Sequence, residues 1–139
     1  MSVIHAVIFS LVFNAAAYGL LLIRLAHASA LEFLALALLL PMLFNSFLYV
    51  RGCRGNREWV CIVLLSLFMT VGYFAFGLAA GAMGSAEAFA VNNTFQSDTV
   101  SIDVGENISS LSNVIVVFLA QFCTMTVLRF ILKKRGKRL

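Results

Sequence analysis

Residues 59–83 read WVCIVLLSLFMTVGYFAFGLAAGAM, a run without one Asp, Glu, Lys, Arg or His. A helix rises about 1.5 Å per residue, so about 20 such residues cross the roughly 30 Å of hydrocarbon in a bilayer. Backbone N–H and C=O groups find no water at that depth and must bond within their own segment, which makes the run a transmembrane helix.

Three more stretches of the same kind flank it: Val3 to Ile23, about Phe33 to Val50, and about Leu111 to Leu132. Across the chain 62% of residues are hydrophobic and 12% charged, against about 25% charged in soluble domains. The expected fold is therefore all-α: one domain over 1–139 of four transmembrane helices (about 3–23, 33–50, 59–83, 111–132). A loop over 84–110 and a basic tail over 133–139 complete it. The net charge of +4 does not point to nucleic acid, because the basic residues sit beside apolar runs and are not spread over a polar face. Ala28-Ser29-Ala30 after the first run has the look of a signal cleavage site. That run has no basic leader and is followed at once by Arg24, so it is taken as a retained span.

Charge sets the expected orientation. Arg51, Arg54 and Arg57 lie between spans two and three, and Lys133, Lys134, Arg135, Lys137 and Arg138 follow span four. Between spans three and four there are only acids: Glu87, Asp98, Asp103 and Glu106. Positive charge marks cytoplasmic segments, so both termini are expected in the cytoplasm of a bacterial inner membrane, with the acidic loop outside. The tail is an expected contact for anionic lipid headgroups.

Little chemistry is visible. Cys53, Cys61 and Cys123 all fall in or toward the cytoplasmic half, so no structural disulfide is expected, and no CxxC motif is present. Asn92-Asn93-Thr94 and Asn107-Ile108-Ser109 match the glycosylation pattern and are taken as chance matches in a bacterial chain. His5 and His27 belong to opposite membrane surfaces. There is no HExxH, GxSxG or phosphate loop, and the spacing of the acids fits no calcium loop. Neither an enzyme nor a metal or other cofactor is expected.

Polar groups inside spans are the more informative residues. Asn14 and Gln121 fall near the centres of spans one and four, at one depth, and are expected to bond to each other. Asn45 and Ser46 follow Pro41, which should kink span two. Gly77 and Gly81 form a GxxxG that Ser85 extends, a small-residue face for a neighbouring helix; Ala15 and Gly19 form a similar stripe. Tyr49 and Trp59 sit where an aromatic belt would lie, and Arg24 can pair with Glu32. In the long loop, Val100 to Val104 alternates apolar and polar, so a short hairpin is expected over Phe95 to Val104.

The four-span layout resembles that of the small multidrug-resistance transporters, although span one carries Asn14 and no membrane-embedded glutamate. Asn45 through Trp59, an asparagine near a span end followed by arginines and an aromatic, resembles a segment of GtrA-type flippases. Neither likeness carries a functional residue over. The expected function is non-enzymatic binding of a membrane partner, as an accessory subunit or an immunity-type protein against a membrane-active toxin. Its contacts would be the Gly77/Gly81/Ser85 face and loop residues Asp98, Asp103 and Glu106. The alternatives are a small oligomeric transporter or flippase using Asn14, Asn45 and Gln121, and a non-catalytic subunit of a membrane enzyme complex.

Overall fold

The structure is a computed structural model that describes residues 3–53, 57–96, 101, 102, 105 and 107–136. Four helical stretches are long and apolar enough to cross a membrane: Val3–His27, Ala30–Gly52, Glu58–Ala82 and Leu111–Lys134. We label the helices α1 (Val3–Arg24, closed by a 3₁₀ turn at Leu25–His27), α2 (Ala30–Gly52), α3 (Glu58–Ala82), α4 (Ser85–Asn93) and α5 (Leu111–Gly136). The fold is all-helical. Each spanning helix lies within a few residues of the expected bounds.

Local chemistry explains the boundaries. α2 begins three residues before the expected Phe33, because Ser29 and Glu32 form a reciprocal capping box that satisfies two of the helix's free N–H groups. Within α2, residues Ala35–Leu39 form a π-helical turn, closed by the Leu40 N–H donating to Ala35 O. Pro41 has no N–H and its ring crowds the carbonyl four residues back, that of Ala37. The wider turn relieves this, so the expected kink takes the form of a π-bulge. The Ala37 carbonyl left without its usual donor is taken up from outside. The Tyr18 hydroxyl of α1 lies 3.3 Å from Ala37 O and 3.4 Å from Met69 O, and its single proton is shared between them.

Gly84, at φ +71°, ends α3 in the left-handed conformation that glycine adopts without a Cβ penalty. The chain then turns into α4, a helix not expected within the 84–110 loop. The expected hairpin is not an element of the fold. Phe95 faces Ile102 and Gln96 faces Ser101 in a two-rung antiparallel pairing, and residues 97–100, 103 and 104 lie outside the described residues. Such a pairing is far below the three or more strands that stand alone in water.

α3 is the centre of the bundle, packed against α1 on one side and α5 on the other, while α2 bridges α1 and α5. Half of the α3 span is buried, against 17% of the α5 span. The core divides into two apolar clusters. One lies toward the α1–α2 turn, around Tyr18, Leu21, Met69, Phe76 and Val117. The other lies toward the termini, around Ala6, Leu48, Leu65 and Met125.

Two features at the terminal end depart from expectation. Cys53 and Cys61 form a disulfide, their Cα atoms 6.0 Å apart, within the span such a bond requires. The short α2–α3 connection folds the last residue after α2 back onto the first turn of α3, an adjacency that compartment arguments do not reveal. Tyr49 is only 3% exposed, packed in the core where a membrane-surface belt position was expected. Trp59 is exposed and carries the Arg129 guanidinium 4.5 Å from its ring centre. Arg129 Nε also donates to Glu58 Oε2 at 2.8 Å, so the basic residue one turn inside the end of span four is paired. Arg24 and Glu32 approach to 3.5 Å but are well exposed, where an ion pair contributes little.

Candidate functional site: a buried polar layer and two lateral cavities

Between the two apolar clusters every spanning helix contributes a buried polar side chain. They are Ser10 and Asn14 from α1, Asn45 from α2, Ser66 and Thr70 from α3, and Gln121 from α5. Heptad-like spacing places them there. Ser10 and Asn14 fall between Ala6 and Tyr18, Asn45 between Ala37 and Leu48, and Gln121 between Val117 and Met125, each pair of flanking residues belonging to opposite clusters. Side chains three or four residues apart share a helix face, so the four helices present one layer.

The bonding differs from the expected Asn14–Gln121 pair. Asn14 Nδ2 donates to Ser10 Oγ at 3.1 Å, and Ser10 Oγ donates to Asn45 Oδ1 at 2.7 Å. This relay ties α1 to α2. Gln121 is 0% exposed, and neither of its amide atoms has a partner among the described residues. The Asn14 Oδ1, Asn45 Nδ2, Ser46 Oγ, Ser66 Oγ and Thr126 Oγ1 atoms are likewise buried and unpaired there. Orphan polar groups in a low-dielectric core are costly, and their concentration at one level makes the layer the chemically distinctive part of the bundle. Ser10 and Ser66 were missed in the sequence because serine is frequent in spans. The signal that marks them is their depth, shared with Asn14 and Asn45.

The expected Gly77/Gly81/Ser85 face is divided by the fold. A Cβ on Gly77 would come within 2.9 Å of the Ser109 backbone N, so Gly77 is the seat of the chain's own 107–110 turn. Gly81 meets nothing within 4 Å. Ser85 lies beyond the Gly84 break, and its hydroxyl donates to Ala80 O at 3.2 Å. The three residues do not form one continuous surface.

A different small-residue surface exists at the α1/α3 seam. A groove of about 390 Å³ is lined by the small residues Ala15 and Gly19 of α1 and Gly72, Ala75 and Ala79 of α3, with Asn14 and larger side chains such as Leu11, Leu22, Phe68 and Val71 around them. Gly72 is required there, since a Cβ would press to 3.0 Å against the Tyr18 ring. Gly19 has open space. A second cavity, of about 640 Å³, opens between α2 and α5 under the 105–110 segment.

The α1–α2 turn is held by α4. Asn92 Nδ2 donates to Ala26 O at 2.6 Å. Asn93 Nδ2 donates to Ala28 O and Phe89 O, and Asn93 Oδ1 accepts from Ala30 N–H at 2.7 Å. The asparagines of the first glycosylation match thus serve as a latch. Loop residues Asp98, Asp103 and Glu106, and tail residues Lys137 and Arg138, lie outside the described residues; Lys133 and Lys134 are exposed at the end of α5. No family model matches the chain, and neither a curated protein nor a solved structure matches it.

Proposed function

We propose that this chain is a non-enzymatic membrane protein that works by seating a transmembrane helix of a partner protein in the α1/α3 groove. The observation that supports this most is the groove itself. Small residues on both walls let a third backbone approach closely, and close approach is what drives helix association where lipid offers no hydrophobic gain. Asn14 lines the groove as well, but its carbonyl oxygen is sealed in the polar layer, so the seat is one of shape and not of hydrogen bonding. The contact surface is accordingly moved from Gly77/Gly81 to Ala15, Gly19, Gly72, Ala75 and Ala79. An accessory subunit and an immunity-type protein both operate in this way.

The decisive variant is Gly19→Leu. It projects an isobutyl group into the groove, and its first added atom meets nothing within 4 Å; the unfolding temperature checks the rest of the side chain. Gently extracted wild type is expected to carry a specific second protein in native mass spectrometry, and Gly19→Leu to lose it while unfolding at the wild-type temperature. Retention of the partner by the variant refutes the groove as the contact.

In the same proposal the termini and the Arg51–Arg57 connection face the cytoplasm, supported by the uneven distribution of basic residues; the Cys53–Cys61 bond at that end is the one feature that points the other way, since cytoplasmic thiols are kept reduced. Lys133, Lys134 and Arg135, with Lys137 and Arg138, meet anionic headgroups there. A second reading, transport by an oligomer, is favoured by one observation: the unpartnered Gln121 amide in the polar layer. Transport lost in Gln121→Leu with folding retained supports it over partner binding.

A further inference from the structure

The larger cavity has a construction of its own. One wall is the π-turn region of α2, where the widened helix brings Ala37 and Leu38 to the surface of the space. The opposite wall is the first half of α5, with Val116 and Val117. Aromatic rings close the interior. Phe33 and Phe89 stand 5.0 Å apart between centroids at a 35° tilt, and Tyr73 of α3 also lines the space.

Tyr73 is the informative residue. It is only 5% exposed, and its hydroxyl has no hydrogen-bond partner among the described residues. Its side chain lines the cavity. A buried phenol normally finds a partner. Tyr18, one helix away, has two carbonyls; the Tyr73 hydroxyl has none among the described residues.

The entrance is polar but uncharged among its described residues: Asn107, Ser110 and Asn113. It is held in shape by Asn113 Nδ2 donating to Asn107 O and Ile108 O and by Ser110 Oγ accepting from Asn113 N–H. An anionic lipid headgroup finds no cation among these lining groups. A bare alkyl chain leaves the phenol unsatisfied and makes no use of the rings. The volume lies within the roughly 300–1,000 Å³ of small-molecule sites, and the space has α2 and α5 on either side, two helices that both border lipid in the proposed membrane arrangement.

We propose that this cavity binds a neutral, ring-bearing lipophile of the quinone class, its ring against Phe33 and Phe89, one carbonyl oxygen accepting from the Tyr73 hydroxyl, and its tail leaving between α2 and α5. Planar rings stack on aromatic side chains, and a carbonyl is the acceptor the phenol lacks. Binding alone is assigned to the site.

The test uses the full chain in phospholipid nanodiscs with decylubiquinone as probe and hexadecanol as a control that has a tail and an acceptor oxygen but no ring, the adduct being quantified by native mass spectrometry. One saturable quinone per chain is expected, with hexadecanol failing to compete. Tyr73→Phe removes only the donor, and is expected to weaken binding by roughly three- to tenfold, the effect of one neutral hydrogen bond. Val116→Trp, at a position already well exposed, is expected to block the opening without disturbing the bundle, and unfolding temperatures check both variants. No adduct, an adduct indifferent to both substitutions, or equal binding of hexadecanol overturns the proposal.

Discussion

Gly77 and Gly81 belong to one GxxxG motif, yet the structure requires them to respond differently to the same substitution. In Gly77→Ala the new Cβ would stand 2.9 Å from Ser109 Cβ and N and 3.0 Å from its Cα, against about 3.5–4.0 Å for relaxed carbon contacts. The neighbour is backbone in a turn, so the 107–110 segment must retreat as a unit. That segment carries Ile108, which is 4% exposed and part of the apolar cluster around Tyr73 and Phe76. Overpacking of this kind costs about 1–3 kcal/mol. Gly81→Ala meets nothing. Both variants gain the same helix preference of alanine over glycine, roughly 1 kcal/mol, so the difference between them isolates the clash. Unfolding in a fixed detergent titrated with SDS, followed by circular dichroism, should therefore separate the two by about 1–3 kcal/mol, with Gly77→Ala the weaker. Hydrogen exchange should rise in residues 107–110 of that variant alone. Equal stabilities would refute the assignment of Gly77 as the seat of the turn.

Asn93→Ala removes two bonds that join α4 to the α1–α2 turn and one within α4 and is expected to cost about 1–3 kcal/mol, with amide exchange of Ala28 and Ala30 as the local readout. Arg129→Met keeps the apolar stem and loses both the Glu58 bond and the Trp59 contact, and should destabilise by about 1–2 kcal/mol for the charge-assisted, part-buried bond. Replacing Cys53 and Cys61 together by Ser is expected to lower stability by up to about 2.5 kcal/mol for so short a loop. The same loss should appear on reducing the wild type, and maleimide labelling of the unfolded chain should rise from one thiol to three. Tyr18→Phe leaves the Ala37 carbonyl without its donor and should destabilise by about 1 kcal/mol, whereas Tyr73→Phe should leave stability unchanged.

What the amino-acid sequence determined by itself is what hydropathy and local chemistry determine. The four spans follow from run length, because crossing a bilayer is a one-dimensional requirement on consecutive residues. The disturbance of α2 follows from Pro41, because the missing N–H and the crowded carbonyl lie within one turn of it. The shared depth of Asn14 and Gln121 follows from counting along each helix, whereas counting sets Asn45 in the terminal half of its span and only the packing brings it level with Ser10. What only the tertiary structure decided is which side each helix turns to which neighbour. A span apolar on every side has no amphipathic face to fix its rotation, and each residue step turns the helix by about 100°. Asn14 therefore meets Ser10 and, through it, Asn45, while Gln121 stands unpaired, though all share one level. Gly77 receives the 107–110 turn while Gly81, one turn along, faces outward. Cys53 and Cys61 close a bond because a short connection returns the chain on itself, and Asn92 and Asn93 become a latch because Gly84 redirects the chain over the α1–α2 turn. The groove and the Tyr73 cavity exist only between helices, so no single stretch of sequence contains either.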